Sequence, residues 1–158
     1  MSGLSHVDES GRARMVDVSD KERTARTATA CGTLTCQPGT LQQVRAGTTP
    51  KGAVIHTAEL AGVMAAKRTA ELIPLCHSLS LTHAGVRIEI DDSLPGFRIA
   101  SEVRTKAETG VEMEALTAVA VAALTVYDMV KAVDRTMVIG DIRVMLKSGG
   151  RSGTYRRR

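Results

Sequence analysis

Apolar and polar positions alternate along four stretches of this chain and recur with helical spacing along two others. Glu22 to Thr33 is rich in Thr and Ala with weak alternation, and predicts a first strand. Val86, Ile88 and Ile90 alternate with Arg87 and Glu89, and Phe97, Ile99, Ser101 and Val103 alternate with Arg98, Glu102 and Arg104. The turn-forming segment Asp91 to Gly96 between them makes this pair a hairpin. In a last strand, Met137 to Lys147, Ile142, Val144 and Leu146 alternate with Arg143, Met145 and Lys147. The helical spacing begins at Thr57, a predicted N-cap, with Glu59 in the first turn. Leu60, Val63, Met64, Ala70 and Ile73 can then share one apolar face up to the stop at Pro74. A second helix runs from about Gly110 to Lys131, and Thr109 to Glu112 fits a capping box.

The order strand, helix, strand, strand, helix, strand predicts an α+β, ferredoxin-like βαββαβ fold: an antiparallel sheet with both helices on one face. The whole chain, 1–158, reads as a single domain with a flexible N-terminal arm at about 1–21 and a flexible C-terminal tail at about 148–158. The connection containing Pro38-Gly39 and Gly47 to Gly52 reads as loop. The second helix is apolar nearly all round from Ala115 to Tyr127, whereas a two-layer domain leaves one side of a helix to water. Burial by another subunit is the expected resolution, so an oligomer is predicted.

Composition narrows the function. Aromatics are 2% of the 158 residues, so the core must be aliphatic. The 21 Lys and Arg against 17 Asp and Glu leave a net charge of +4, compatible with phosphate-bearing small molecules and with RNA. The uncharged apolar stretch Ala115 to Tyr127 is shorter than the roughly 20 residues of a membrane span. The first residues lack a cationic segment followed by an apolar run, and Cys31, Cys36 and Cys76 show no C-x-x-C spacing. A cytoplasmic protein without membrane, metal or cofactor motif is expected.

Several groups could carry chemistry. Cys76 and His77 are adjacent and would point apart in an extended chain, so they do not make a nucleophile pair. His77 is placed either to donate a hydrogen bond to phosphate or to sit on the surface without a task. Glu112 and Glu114 open the second helix, where acidic residues also complement the helix dipole. Asp128 and Lys131 share a face near its end, as an exposed ion pair or as a pair tuned for proton transfer. Lys51 lies in the Gly/Thr/Pro loop, and Arg26, Lys67 and Lys147 could join a cationic pocket. Glu114 and Asp128 are about 21 Å apart along a helix. One small molecule cannot touch both in one subunit. Either one end alone is functional, or a site joins the start of one subunit's helix to the end of another's.

Six colinear blocks then resemble a known family. They are Lys51-Gly52, Ala65 to Thr69, Leu72 to His77, Thr109 to Thr117, Tyr127 to Ala132 and Lys147 to Gly150, joined by Met15 to Ser19 near the N-terminus. Together they resemble the cyclic pyranopterin monophosphate synthase family, the C protein of molybdenum-cofactor biosynthesis. The resemblance implies a ferredoxin-like fold, hexamers built from dimers, and sites at a subunit interface. It implies a nucleotide-derived substrate, 3′,8-cyclo-7,8-dihydroguanosine 5′-triphosphate, converted to cyclic pyranopterin monophosphate with release of diphosphate. In that light Lys131, Asp128 and Lys51 are the expected acid–base groups. Arg26, Lys67 and Lys147 suit charge neutralisation, with His77 as a hydrogen-bond donor. Glu112 or Glu114 suits the donor edge of the base, with Met113 packing nearby and Leu75, Cys76 and His77 lining the substrate.

Two other classes fit the same strand order. An RNA-binding module would stack bases on sheet aromatics, and the strands offer only Phe97. A regulatory ligand-binding domain would bind without turnover and tolerate loss of Lys131.

Overall fold

The computed structural model describes residues 6–158. Four long strands form one antiparallel sheet: β1 (Thr24–Thr35), β2 (Leu81–Asp91), β3 (Gly96–Ala107) and β4 (Val138–Ser148). A two-residue strand, β5 (Tyr155–Arg156), completes the spatial order β2-β3-β1-β4-β5. Helices α1 (Pro38–Ala46), α2 (Val54–Lys67), the single turn α3 (Thr69–Leu72) and α4 (Glu112–Val130) fill the connections. The first four strands and the pair α2 and α4 are the ferredoxin-like arrangement predicted from the pattern.

The sheet is held in register by its centre. β1 pairs with β3 without interruption from Thr24–Ala107 to Thr35–Gly96. The β1–β4 pairing is irregular at Thr29/Ala30 and Cys31/Thr33, and Asp141, at φ 55°, lies within the irregular stretch. Gly96 is required where the hairpin meets β1, because a Cβ there would stand 2.1 Å from the Leu34 carbonyl oxygen.

Alternation sorts as expected in β2 and β3 but not in β4, where Ile142 is exposed beside the irregular stretch and Arg143 to Lys147 are all half-buried. Phe97, Ile99, Ser101 and Val103 are buried toward the helices with Ala28, Ala30 and Leu34, while Arg98 and Arg104 are exposed. Phe97 is wholly inside the core and offers no face for a base to stack on, which leaves Tyr155 on the two-residue edge strand β5 as the exposed aromatic of the sheet.

Besides a break at Arg68, which ends α2 at Lys67 and sets off α3 before the predicted stop at Pro74, the helices depart from the predicted pattern in four places. First, Pro38–Ala46 is a helix, not loop: Pro38 starts it and Gly47, at φ 68°, ends it, with Leu41 buried. Second, α2 begins at Val54, and Thr57 donates its hydroxyl to the Ala53 carbonyl instead of capping. Third, its buried face is Val54, Ala58, Gly62, Ala65 and Ala66, while Leu60 and Met64 face outward. Small residues win because α2 crosses α4 closely: a Cβ on Gly62 would lie 2.8 Å from the Ala118 carbonyl oxygen. Fourth, Thr109 does not cap α4; Val111 is its N-cap residue, with no side-chain cap.

α4 is long and apolar enough to cross a membrane by length and composition alone, yet more than half of that stretch is buried within this fold. The sheet and α2 consume most of the apolar circumference that suggested a partner. Among the described residues, Leu60 and Met64 on α2 and Met113 and Leu124 on α4 remain exposed. Within the expected tail, Tyr155 and Arg156 pair with Lys147 and Leu146 along the edge of β4.

Candidate active site

The turn that carries Lys51 is fixed by its neighbours. Gly52 takes φ 80°, a left-handed conformation without cost to glycine, and buried Thr49 donates its hydroxyl to the Gly52 carbonyl at 2.9 Å. Lys51 reaches from this turn to the last turn of α4. Its Nζ lies 2.6 Å from Asp128 Oδ2, and Lys131 Nζ lies 2.7 Å from Asp128 Oδ1. All three side chains are about half exposed. Hydrogen bonds from Lys131 and then Lys51 hold the Asp128 carboxyl at about 2. At neutral pH it is a fixed anion that orients two ammonium groups.

Beyond the end of α4 sits Asp134, only 4% exposed. Its Oδ2 accepts from the Gln37 N–H and the Thr40 hydroxyl, both at 2.9 Å, and its Oδ1 accepts from the Thr136 N–H and hydroxyl at 2.8 and 2.7 Å. Burial alone would raise this carboxyl; the donors Gln37, Thr136 and Thr40 together outweigh it and hold it at about 2. Asp134 thereby supplies the acceptor that the start of α1 lacks, and ties α1, which leads into the Lys51 turn, to the end of α4 that carries Lys131. The sequence reading missed Asp134, whose role exists only once α1 is a helix.

The opposite end of α4 is a different environment. A cavity of about 520 Å³ is lined by Leu75, Cys76, His77, Glu112, Met113 and Glu114, together with Val16, Val18 and Lys21 of the N-terminal arm. Glu114 is 3% exposed. Cys76 Sγ donates to its Oε1 at 3.7 Å, and Oε2 has no partner. Burial raises the Glu114 carboxyl above its ordinary range, and the Glu112 charge adds to the effect. Burial likewise pushes the Cys76 thiol up to about 11, with Glu114 contributing. Cys76 is therefore a protonated donor at neutral pH, not a nucleophile. A smaller cavity of about 80 Å³ places Lys67 beside His77 and Glu114.

Thr109, Gly110 and Glu112 open into a neighbouring cavity of about 770 Å³ that holds Arg26 and Lys147. Arg26 donates through Nη2 to the Glu108 carbonyl at 3.0 Å, while its Nε is buried without a partner. The Gly149-Gly150 turn closes over it. Both glycines have positive φ, 94° and 75°, and a Cβ on Gly150 would overlap the Arg26 guanidinium. Lys147 donates to the Ser152 hydroxyl.

The predicted site residues thus separate into two groups. Arg26, Lys67, Leu75, Cys76, His77, Glu112, Met113, Glu114 and Lys147 line adjoining cavities at the start of α4. Lys51, Asp128 and Lys131 cluster at its end, about 21 Å away along the helix. The arm was the part of this wall not read from sequence, although Met15 to Ser19 is one of the blocks that carried the resemblance. Among the described residues, no three His, Cys, Asp or Glu side chains come together as metal ligands.

Comparison with known proteins gives one consistent answer. Residues 15–150 match the model of a family described as the MoaC family. A protein of Methylobacterium sp. (strain 4-46) named cyclic pyranopterin monophosphate synthase is 61% identical over 155 residues, 98% of this chain and 97% of its own. Proteins of the same name from Nostoc sp. (strain PCC 7120 / SAG 25.82 / UTEX 2576) and Brucella ovis (strain ATCC 25840 / 63/290 / NCTC 10512) are 56% and 57% identical, each over 98% of this chain and over 92% and 94% of their own lengths. The match spans both ends of α4, the Lys51 turn and the Gly149-Gly150 turn, and on it this chain belongs to the MoaC family.

Proposed function

We propose that this chain is a cyclic pyranopterin monophosphate synthase whose sites each combine the start of α4 from one protomer with the end of α4 from another. It is an enzyme of molybdenum-cofactor biosynthesis. Its substrate is the cyclised nucleotide 3′,8-cyclo-7,8-dihydroguanosine 5′-triphosphate, and its products are cyclic pyranopterin monophosphate and diphosphate. The protein works in the cytoplasm as a hexamer of three dimers.

The observation that carries this reading is Asp128 held between Lys51 and Lys131, at one end of a helix whose other end opens into cavities that hold Arg26 and Lys147 beside Glu112 and Glu114. Opening the five-membered ring of the guanine and closing the pterin needs repeated proton transfer. Two ammonium groups oriented by one carboxylate can deliver and recover protons at neighbouring atoms. Lys131 acts as the acid–base group, and Lys51 stabilises the phosphate as its cyclic ester forms. Arg26, Lys67 and Lys147 neutralise the charge that spreads onto the departing diphosphate. Glu112 or Glu114 receives the donor edge of the base, with Met113 against the ring and Leu75 and Cys76 beside it.

Incubating the purified protein with the cyclised nucleotide tests this directly. Diphosphate and cyclic pyranopterin monophosphate are expected in equal amounts. Tight binding without diphosphate release would replace the synthase by a regulatory ligand-binding protein.

A further inference from the structure

The N-terminal arm reaches the pocket through its backbone. The Val16 carbonyl oxygen lies 2.7 Å from His77 Nε2. Val16 and Val18 are half-buried in the wall of the cavity that holds Glu114, and His77 also faces Met15 to Ser19 across a second cavity of about 450 Å³. The arm is shaped around this contact: Asp17 accepts from the Ser19 N–H at 2.9 Å, and the Lys21 N–H donates to the Val18 carbonyl at 3.0 Å.

A carbonyl oxygen only accepts, so this hydrogen bond needs a proton on Nε2. In the neutral imidazole the other nitrogen, Nδ1, is then a bare acceptor. We infer that the Val16 carbonyl fixes His77 as its Nε2–H tautomer, so that Nδ1 accepts a hydrogen bond from an N–H or O–H of the substrate. His77 then reads a donor group of the nucleotide and leaves phosphate to Arg26, Lys67 and Lys147. The arm is a positioning element for the pocket, acting through one side chain. What His77 meets rests on the function proposed above; its tautomer does not.

Ring ¹⁵N chemical shifts of His77 in the full chain test the inference, with assignment by loss of the signals in His77→Gln. Two further proteins release the arm: one lacks residues 1–18, and the other carries Val16→Asp with Val18→Asp. The intact protein is expected to show a protonated Nε2 and a bare Nδ1, and both released-arm proteins a tautomer average. Loss of one oriented hydrogen bond should raise KM for the cyclised nucleotide about tenfold in both, with kcat within about twofold. A protonated Nδ1 in the intact protein, or a ring pattern or KM unmoved by releasing the arm, overturns the inference. If the intact protein releases no diphosphate, the synthase reading fails on its own, and the ring shifts still decide the tautomer.

Discussion

The two ends of α4 tune the same functional group in opposite directions. At the C-terminal end, Asp128 is exposed and its carboxyl is drawn down to about 2 by Lys131 and Lys51. At the N-terminal end, Glu114 is buried with one oxygen unpartnered, and its carboxyl is pushed up. Neighbouring cations decide the first case and desolvation the second. One end is thus an exposed cluster of ion-paired side chains, and the other a cavity wall with a desolvated carboxyl. Such a division suits a site in which two protomers contribute unlike halves.

The sharpest way to break this comparison is to remove the lysines of the ion-paired end. Lys51→Ala and Lys131→Ala are each expected to lower kcat by roughly 10²–10⁴, with nucleotide binding largely retained, measured by single-turnover kinetics and calorimetry. Equal losses of binding would merge the two ends into one role. Mixing inactive Glu114→Ala and Asp128→Ala subunits should then restore part of the activity, because some hybrid sites hold two intact halves. No recovery after subunit exchange has been verified by mass spectrometry would place each site within one chain.

Two smaller effects sharpen the contrast. Asp134→Ala strips the acceptor from Gln37, Thr40 and Thr136, and should cost roughly 2–4 kcal/mol of unfolding free energy in urea titrations. A loss below about 1 kcal/mol would show that α1 is held by other means. Glu114 has the opposite sign. A carboxyl whose folded value is raised contributes stability below its ordinary 4.5, and that contribution is lost as pH rises through the folded value. Glu114→Gln should therefore melt above the native protein at neutral pH, by about 2–4 °C for each kcal/mol relieved, and the gap should close toward about pH 4. A gap independent of pH would mean that the carboxyl is not the source.

β2 and β3 were legible because each buries one face and shows one to solvent, whereas the irregular pairing of β4 with β1 blurs its alternation and leaves Ile142 exposed. Phe97, Ile99, Ser101 and Val103 fall on the core side as their alternation requires. The helices were less so. Leu60 and Met64 looked like the core face of α2, but the close crossing at Gly62 and Ala118 gives that place to small residues. α1 was hidden because its signals, Pro38 at the start and Gly47 at the end, also mark loops. The contact of Lys51 with Asp128 was not legible, since 77 residues separate them; the resemblance implied only that both belong to the acid–base groups.

By itself the sequence determined the order of the four long strands and of α2 and α4, the aliphatic core and the separation of Glu114 from Asp128, because these follow from side-chain period and from the rise of a helix. The tertiary structure decided what each carboxylate became. It brought Lys51 and Lys131 to opposite oxygens of Asp128, enclosed Glu114 and laid the Val16 carbonyl on His77. Those outcomes depend on which neighbours and how much water remain around a group, and no local pattern of residues contains that information.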